Sequence, residues 1–261
     1  MRNILFILLF LLIPIISIFG QIKKFENNSF KVKYEKETEK YMLASLNILE
    51  FVKNEAIKRG FELKRGKTNF IIKKSNRTAL YFDRKSLNGI IWEYKSLDDF
   101  LPPEKSGKKN IYGLLHELGH LFMFNLTNNR NNWMTKEHNE AWADLFGNFM
   151  VDLLYENKGK GVWPEPHDYL VSAGLNAMKK RIEKNINKPK MKKFETACLY
   201  WYELNNKIGF NSFSDLFRLI DKEKVKNPNA RGKYLTVLKL YRNNLEWEKW
   251  FKEYEKAIIY E

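Results

Sequence analysis

The segment 110–125, NIYGLLHELGHLFMFN, places two histidines four residues apart within an otherwise apolar helical pattern. His116 and His120 would lie on one helix face, because positions i and i+4 stack above one another. Glu117 would lie about 100° around that helix, within reach of a ligand held by the histidines. This H-E-x-x-H spacing is typical of zinc sites in which the glutamate takes a proton from water. The alternative is a buried structural histidine pair that arose by chance.

A second amphipathic helix is predicted from residue 136, with Thr135 as its N-cap. Catalytic zinc takes three protein ligands and keeps one position open. In NEAWAD, Glu140 and Asp144 are four residues apart and share a face. Glu140 can be the third ligand, and Asp144 can accept the free N–H of a ligating histidine. Glu137 is a competing ligand, and a solvated carboxylate stripe is the alternative, although apolar residues interrupt it.

The remaining patterns predict an α+β fold, in which strands and helices are mixed at the start and helices follow. Asn110 is the predicted N-cap of the H-E-x-x-H helix. A weak boundary near Gly161 separates residues 21–161, which carry both metal segments, from a helical part at 162–261. The predicted strands are 30–34, 69–73, 79–82 and 89–94, and the predicted helices are 35–59, 110–125, 136–155, 169–186, 193–208, 213–222 and 231–261.

Residues 1–20 have the layout of a secretory signal peptide, with a basic start and an apolar run at residues 4–19. The run is short for a membrane span, which needs about 20 residues. We therefore expect an extracytoplasmic protein, secreted or periplasmic. An uncleaved anchor formed by residues 4–19 and a buried core helix are the alternatives. Cys198 is the single cysteine, so neither an intramolecular disulfide nor a cysteine metal cluster is possible.

The formal net charge is +15, and lysines spread along the chain supply most of it. A solvated lysine-rich surface is the favoured interpretation, and binding to anionic surfaces or polymers is the alternative. The sequence has no compact motif of arginines and aromatic residues, so we expect no specific nucleic-acid partner. We expect contact with a membrane only through an uncleaved N-terminal segment.

HELGH followed by NEAWAD resembles the gluzincin branch of the zincin metallopeptidases, the group that includes thermolysin. The resemblance implies a zincin-like fold and one Zn²⁺ per chain, held by His116, His120 and Glu140. It further implies that Glu117 is the general base and that Asp144 supports a ligating histidine. The interval between His120 and Glu140 is similar to that in thermolysin-like enzymes, which favours Glu140 over Glu137 as the third ligand.

The resemblance extends to residues 30–125, which are similar to the N-terminal half of peptidase-MA-like domains. In such domains, the strand before the active-site helix is a sheet edge that binds the substrate backbone. GIIWEY occupies that place, so the candidate substrate contacts are Gly89, Ile90, Ile91 and Trp92. The segment FETACLYWYELNNKIG, residues 194–209, resembles the helix that closes the site in gluzincin aminopeptidases.

The chain departs from those aminopeptidases where they carry a tyrosine that stabilises the oxyanion, because Phe194 occupies that place. His167, Tyr200 and Tyr202 are the candidate substitutes, and each could instead be a loop histidine or a core aromatic. No glycine-rich exopeptidase motif is present, which favours an endopeptidase acting on peptides or proteins.

Three alternatives to this peptidase remain open. ImmA/IrrE-type metallopeptidases also pair HELGH with a similar second helix, but they lack a signal peptide. A zinc-stabilised module without activity could bind anionic surfaces or polymers. Finally, the substrate of an active zinc site could be a non-peptide amide or ester.

Overall fold

The computed structural model describes residues 21–63, 66–83, 85–86, 88–100, 108–127, 135–157 and 173–222. Within these residues the strands are β1 (Ile22–Glu26), β2 (Phe30–Glu35), β3 (Thr68–Lys74), β4 (Ala79–Phe82) and β5 (Gly89–Tyr94). The helices are α1 (Glu39–Lys58), α2 (Lys108–Leu126), α3 (Lys136–Glu156), α4 (Leu175–Asn185), α5 (Lys192–Ile208) and α6 (Ser212–Lys222). Residues 1–20, the boundary near residue 161, His167 and the helix predicted for 231–261 lie outside this part of the chain.

Most of these elements lie within a few residues of their predicted bounds, but their ends differ in places. Helix α2 begins at Lys108, so Asn110 lies inside the helix and the predicted N-cap at Asn110 is wrong. Thr135 does cap α3, since its hydroxyl accepts a hydrogen bond from the His138 N–H at 3.4 Å. Strand β1 was not predicted, because its side chains are mostly exposed and lack an alternating pattern.

The five strands form one mixed sheet in the order β1-β2-β3-β5-β4. Strands β2, β3 and β5 are parallel, whereas β1 and β4 are antiparallel to their neighbours. Strand β5, which carries Gly89, Ile90, Ile91 and Trp92, therefore lies between β3 and β4 and is not the expected sheet edge. Strand β4 is the terminal strand on that side of the sheet, because β5 pairs with β3 on one side and with β4 on the other.

One hydrophobic core holds the sheet and all six helices together. The inner sheet face contributes alternate buried residues, such as Phe70 and Ile72 of β3. Trp142 of α3 stacks against Phe210 and meets the edge of Phe217, which belongs to α6. The helices after residue 173 thus share a core with the elements before residue 157. No helix in the described part of the chain combines the length and apolar character needed to span a bilayer.

Helices α2 and α3 pack against each other at very short range. A Cβ atom at Gly119 would lie 2.9 Å from Phe146 Cβ and 3.0 Å from Ala143 Cα, so only glycine fits there without displacement. The Trp142 indole N–H donates to the Gly119 carbonyl oxygen at 3.0 Å, across the same contact. This contact brings the histidine face of α2 against the carboxylate face of α3.

Candidate metal centre

Three side-chain atoms from α2 and α3 converge on one point. His116 Nε2 lies 3.2 Å from His120 Nε2 and 3.2 Å from Glu140 Oε2. His120 Nε2 lies 3.6 Å from the same carboxylate oxygen. Four ligands bound to zinc at about 2.0–2.1 Å in a tetrahedron stand about 3.3 Å apart. The three atoms therefore fit three corners of a zinc tetrahedron, with the fourth corner left for water or substrate.

The two imidazoles are held so that their Nε2 lone pairs face one another. His116 Nδ1 lies 3.1 Å from Asp144 Oδ1, and a carboxylate can only accept, so Nδ1 carries the proton. His120 Nδ1 lies 2.8 Å from Asn139 Oδ1, which likewise fits a protonated Nδ1. In neutral rings with these tautomers, both Nε2 atoms are acceptors. Two acceptors at hydrogen-bonding distance beside a carboxylate need a positive charge between them, either a proton or a metal ion.

The pKa values of the site show the same demand for positive charge. Burial lowers the pKa of His116, but its hydrogen bonds to Asp144 and Glu140 outweigh burial and raise it to about 10. The hydrogen bond with His116 and the close imidazole of His120 hold the pKa of Glu140 far below its usual range. A bound metal ion would replace the proton that these groups share, since metal ligands must be deprotonated.

Glu117 lies beside the three ligand atoms but is held by a different element. Its Oε2 accepts a hydrogen bond from the backbone N–H of Phe82, in β4, at 2.6 Å. Burial raises the pKa of Glu117, and the charges of His120 and His116 oppose that rise. Glu117 is thus a carboxylate near the cluster that is not one of its ligands, and its pKa is raised above its ordinary value. Such a group can take up and release a proton.

Asp144 receives hydrogen bonds from three side chains, which lie on two helices, α2 and α4. The Tyr112 hydroxyl donates to its Oδ1 at 2.8 Å, alongside His116, and Arg181 Nη1 donates to Oδ2 at 2.6 Å. Burial raises the pKa of Asp144, but the His116 hydrogen bond and the Arg181 charge outweigh burial, so the net shift is downward. Asp144 therefore remains ionised and fixes both the ring orientation and the tautomer of His116.

Several predicted site residues have surroundings that differ from those expected. Tyr200 is 1% exposed and packs edge-on against His138 and Trp201, so its role as an oxyanion donor is not supported by the structure. Tyr202 is half-buried against the core. Glu137 lies outside the group of converging ligand atoms, which contains Glu140 instead. Strand β5 carries the four predicted substrate contacts inside the sheet.

Four features of the site were missed by the sequence analysis. Asn139 directly precedes Glu140 in sequence. This position beside a candidate ligand could have suggested its contact with His120. Tyr112 lies one turn before His116 on α2, so helical spacing could also have found it. Arg181 comes from a separate helix, and no local pattern links it to Asp144. The role of Phe82 depends on its backbone N–H, which no side-chain pattern reveals.

Comparisons with protein-family models, curated proteins and solved structures find no match to this chain. The three converging ligand atoms and the carboxylate of Glu117 are therefore the features that bear on function.

Proposed function

We propose that this chain is a zinc-dependent metallopeptidase with a zincin-like fold, and that it cleaves peptide bonds within peptides or proteins. The single observation that carries the proposal is the convergence of His116 Nε2, His120 Nε2 and Glu140 Oε2 beside the non-ligand carboxylate of Glu117. The predicted leader at residues 1–20 supports a site of action outside the cytoplasm.

The chemistry of the three ligands favours zinc over other common metal ions. Two imidazole nitrogens and one carboxylate oxygen form the donor set of many hydrolytic zinc sites, whereas Mg²⁺ and Ca²⁺ prefer oxygen ligands alone. When bound at such a site, zinc supplies a water of near-neutral pKa and a Lewis acid for a carbonyl oxygen.

Glu117 has the position and the environment of a general base. Its carboxylate is buried, its pKa is raised, and the Phe82 N–H fixes one of its oxygens. We expect Glu117 to accept a proton from the attacking water and to deliver it to the leaving amine. Asp144 and Asn139 keep the two histidines in the tautomers that this reaction requires.

Among the described residues, no strand pairs with the outer edge of β4, and such an edge supports a peptide as the substrate. Asp83 lies opposite Gly89, and its N–H donates to the Gly89 carbonyl oxygen at 2.8 Å. Hydrogen-bonded and non-hydrogen-bonded pairs alternate in an antiparallel ladder, so the polar backbone groups of Leu80 and Phe82 point away from β5. The Phe82 N–H already donates to Glu117, so an extended peptide could pair with the Leu80 N–H and with the carbonyl groups of Leu80 and Phe82, next to Glu117. We therefore expect the substrate backbone to contact β4, and not β5 as the sequence predicted.

The test is a comparison of the wild type with Glu117→Gln. We expect the variant to retain zinc and to lose cleavage of casein by about 10²–10⁴-fold, because only the proton transfer is removed. Zinc content and chelator-sensitive cleavage would be measured on the same preparations. Glu137→Gln is the matched control, since Glu137 lies on α3 but outside the ligand group, and it should cleave like the wild type. Equal cleavage by wild type and Glu117→Gln would contradict the proposal.

A further inference from the structure

Arg181 of α4 connects the candidate metal centre to a helix that contributes no ligand. Its Nη1 donates to Asp144 Oδ2 at 2.6 Å, and Asp144 Oδ1 in turn accepts from His116. The Arg181 side chain is 33% exposed, whereas that of Asp144 is 8% exposed. The guanidinium group therefore faces the largely buried carboxylate of Asp144, which in turn contacts the candidate ligand His116.

The other side of the Arg181 guanidinium faces α5. Its Nε lies 3.4 Å from Glu195 Oε1, and its Nη2 donates to Cys198 Sγ at 3.1 Å. Glu195 and Cys198 are three residues apart, so they share one face of α5. The Glu195 side chain is 0% exposed, and a buried carboxylate without a cationic partner is strongly unfavourable. Glu195 therefore holds Arg181, and Arg181 holds Asp144.

Helix α4 is also fixed to α3 at its first turn, which sets the position of Arg181. The Asn148 side-chain oxygen accepts from the Gly174 N–H at 2.9 Å. Asp152 accepts from the Leu175 N–H at 3.0 Å and so provides the cap that Gly174, which has no side chain, cannot provide. Asn148 also donates to the Tyr112 hydroxyl at 2.9 Å, which itself donates to Asp144. Two routes thus link α4 to the same carboxylate.

We propose that Arg181 is a positioning residue for the metal centre, and that Glu195, Arg181, Asp144 and His116 form one chain through which metal binding and the docking of α4 and α5 stabilise each other. This inference rests on the metal site of the proposed function, but not on peptidase activity. Coupling of this kind is reciprocal: if docked helices increase zinc affinity, zinc must stabilise the docked helices by the same factor. The centre then extends over four helices, although only α2 and α3 supply ligands.

The first test measures zinc affinity in the full-length protein by competition with a chelating dye. Arg181→Met alone would leave Glu195 buried and unpaired, so it is combined with Glu195→Gln to keep the variant folded. We expect this double variant to bind zinc about 10–100-fold more weakly than the wild type, as for other losses of groups that support a ligand. Arg181→Lys keeps the charge but not the forked geometry, and should recover part of the affinity.

Arg218→Met is the matched control for these variants. Arg218 is 38% exposed and also joins two elements, since it contacts Glu62 at 2.6 Å and the Gly60 carbonyl oxygen. We expect the zinc affinity of Arg218→Met to stay within about twofold of the wild-type value, because Arg218 does not contact Asp144 or the partners of Asp144. An equal loss in Arg218→Met would mean that general destabilisation explains the effect, which would overturn the inference.

The second test measures amide hydrogen exchange in zinc-loaded and zinc-free protein. In the wild type, zinc should slow exchange in α4 as well as in α2 and α3. In the double variant it should slow exchange only in α2 and α3. Unchanged zinc affinity in the double variant, or equal protection of α4 in both proteins, would refute the coupling. A wild type that binds no zinc would instead refute the metal site itself.

Discussion

At the scale of single residues, the centre depends on how the two histidines are held. His116 donates to the carboxylate of Asp144, whereas His120 donates to the neutral amide of Asn139. A carboxylate accepts the stronger hydrogen bond and raises the basicity of its histidine more than an amide does. We therefore expect the two histidines to be supported unequally, with Asp144 contributing more to metal affinity than Asn139.

This inequality predicts different losses for two alanine substitutions. Asp144→Ala should weaken zinc binding by about 10–100-fold, because His116 loses both its orientation and its charged acceptor. Asn139→Ala should weaken zinc binding less, since a water molecule can replace a neutral amide acceptor. Both dissociation constants would be measured by chelator competition at one pH. If Asn139→Ala costs as much as Asp144→Ala, the unequal support is wrong.

The residues of the site that could be predicted from the sequence share a local spacing. Helical periodicity relates His116 to His120 and Glu140 to Asp144, so each pair could be found within one helix. Arg181 could not be found in this way, because it meets Asp144 only through the packing of separate helices. Tyr200 was a weak candidate for the same reason, since spacing alone does not tell which aromatic side chains of α5 face the core.

At the scale of helices, the close contact of α2 with α3 depends on Gly119. Gly119→Ala should lower the free energy of unfolding, because its Cβ would lie 3.0 Å from the backbone Cα of Ala143, which cannot rotate away. Overpacking of this kind typically costs about 1–3 kcal/mol, and the better helix propensity of alanine returns only part of it.

Gly113→Ala is the control for Gly119→Ala on the same helix. Its Cβ would lie 2.6 Å from Leu80 Cδ2, the flexible end of a side chain that can move. Gly113→Ala should therefore be nearly neutral, or slightly stabilising through helix propensity. Chemical denaturation of both variants checks the difference. If Gly119→Ala is as stable as Gly113→Ala, the close helix contact is not as described.

In the sheet, Glu93 of β5 should make stability depend on acid pH. Hydrogen bonds from Arg77 at 2.7 Å and Lys73 at 3.0 Å, together with one from Tyr81, lower the pKa of Glu93 from 4.5 to about 2. Because folding lowers this pKa, the stabilising contribution is complete above pH 4.5. It is lost as the pH falls from 4.5 to about 2.

The measurement is the free energy of unfolding of wild type and Glu93→Gln across that pH range. We expect the wild type to be more stable at neutral pH and the two curves to converge toward pH 2. Added salt should reduce the difference at neutral pH, since Arg77 and Lys73 are 66% and 47% exposed and are therefore screened. A constant difference at all pH values would exclude the assigned titration.

The elements themselves could largely be predicted, whereas the order of the strands could not. The alternation in β2 and β3 and the periodicity of α1, α2 and α3 identify each element locally. Placing β4 at the sheet edge requires knowledge of how β5 returns beside β3, which is a long-range pairing. GIIWEY was expected to be a sheet edge because it precedes α2 in sequence, whereas in the described sheet the terminal strand is β4.

At the scale of the whole molecule, the described residues form one core, enclosed by one sheet face and six helices. The helical segment after residue 173 packs against α3 and supplies Arg181 to the centre. The candidate ligands lie within residues 21–161, and the helical part at 162–261 contributes Arg181, which contacts Asp144. The ligand atoms come from two helices, but their support comes from the surrounding fold.

The most direct test of the proposed metal centre is the zinc content of the purified full-length protein, measured beside His120→Ala and Glu137→Gln. We expect one zinc ion per chain in the wild type and in Glu137→Gln, and a large loss in His120→Ala, which removes one of three ligands. A wild type without zinc, or a His120→Ala variant that retains the full amount, would contradict the claim that His116, His120 and Glu140 form a metal centre.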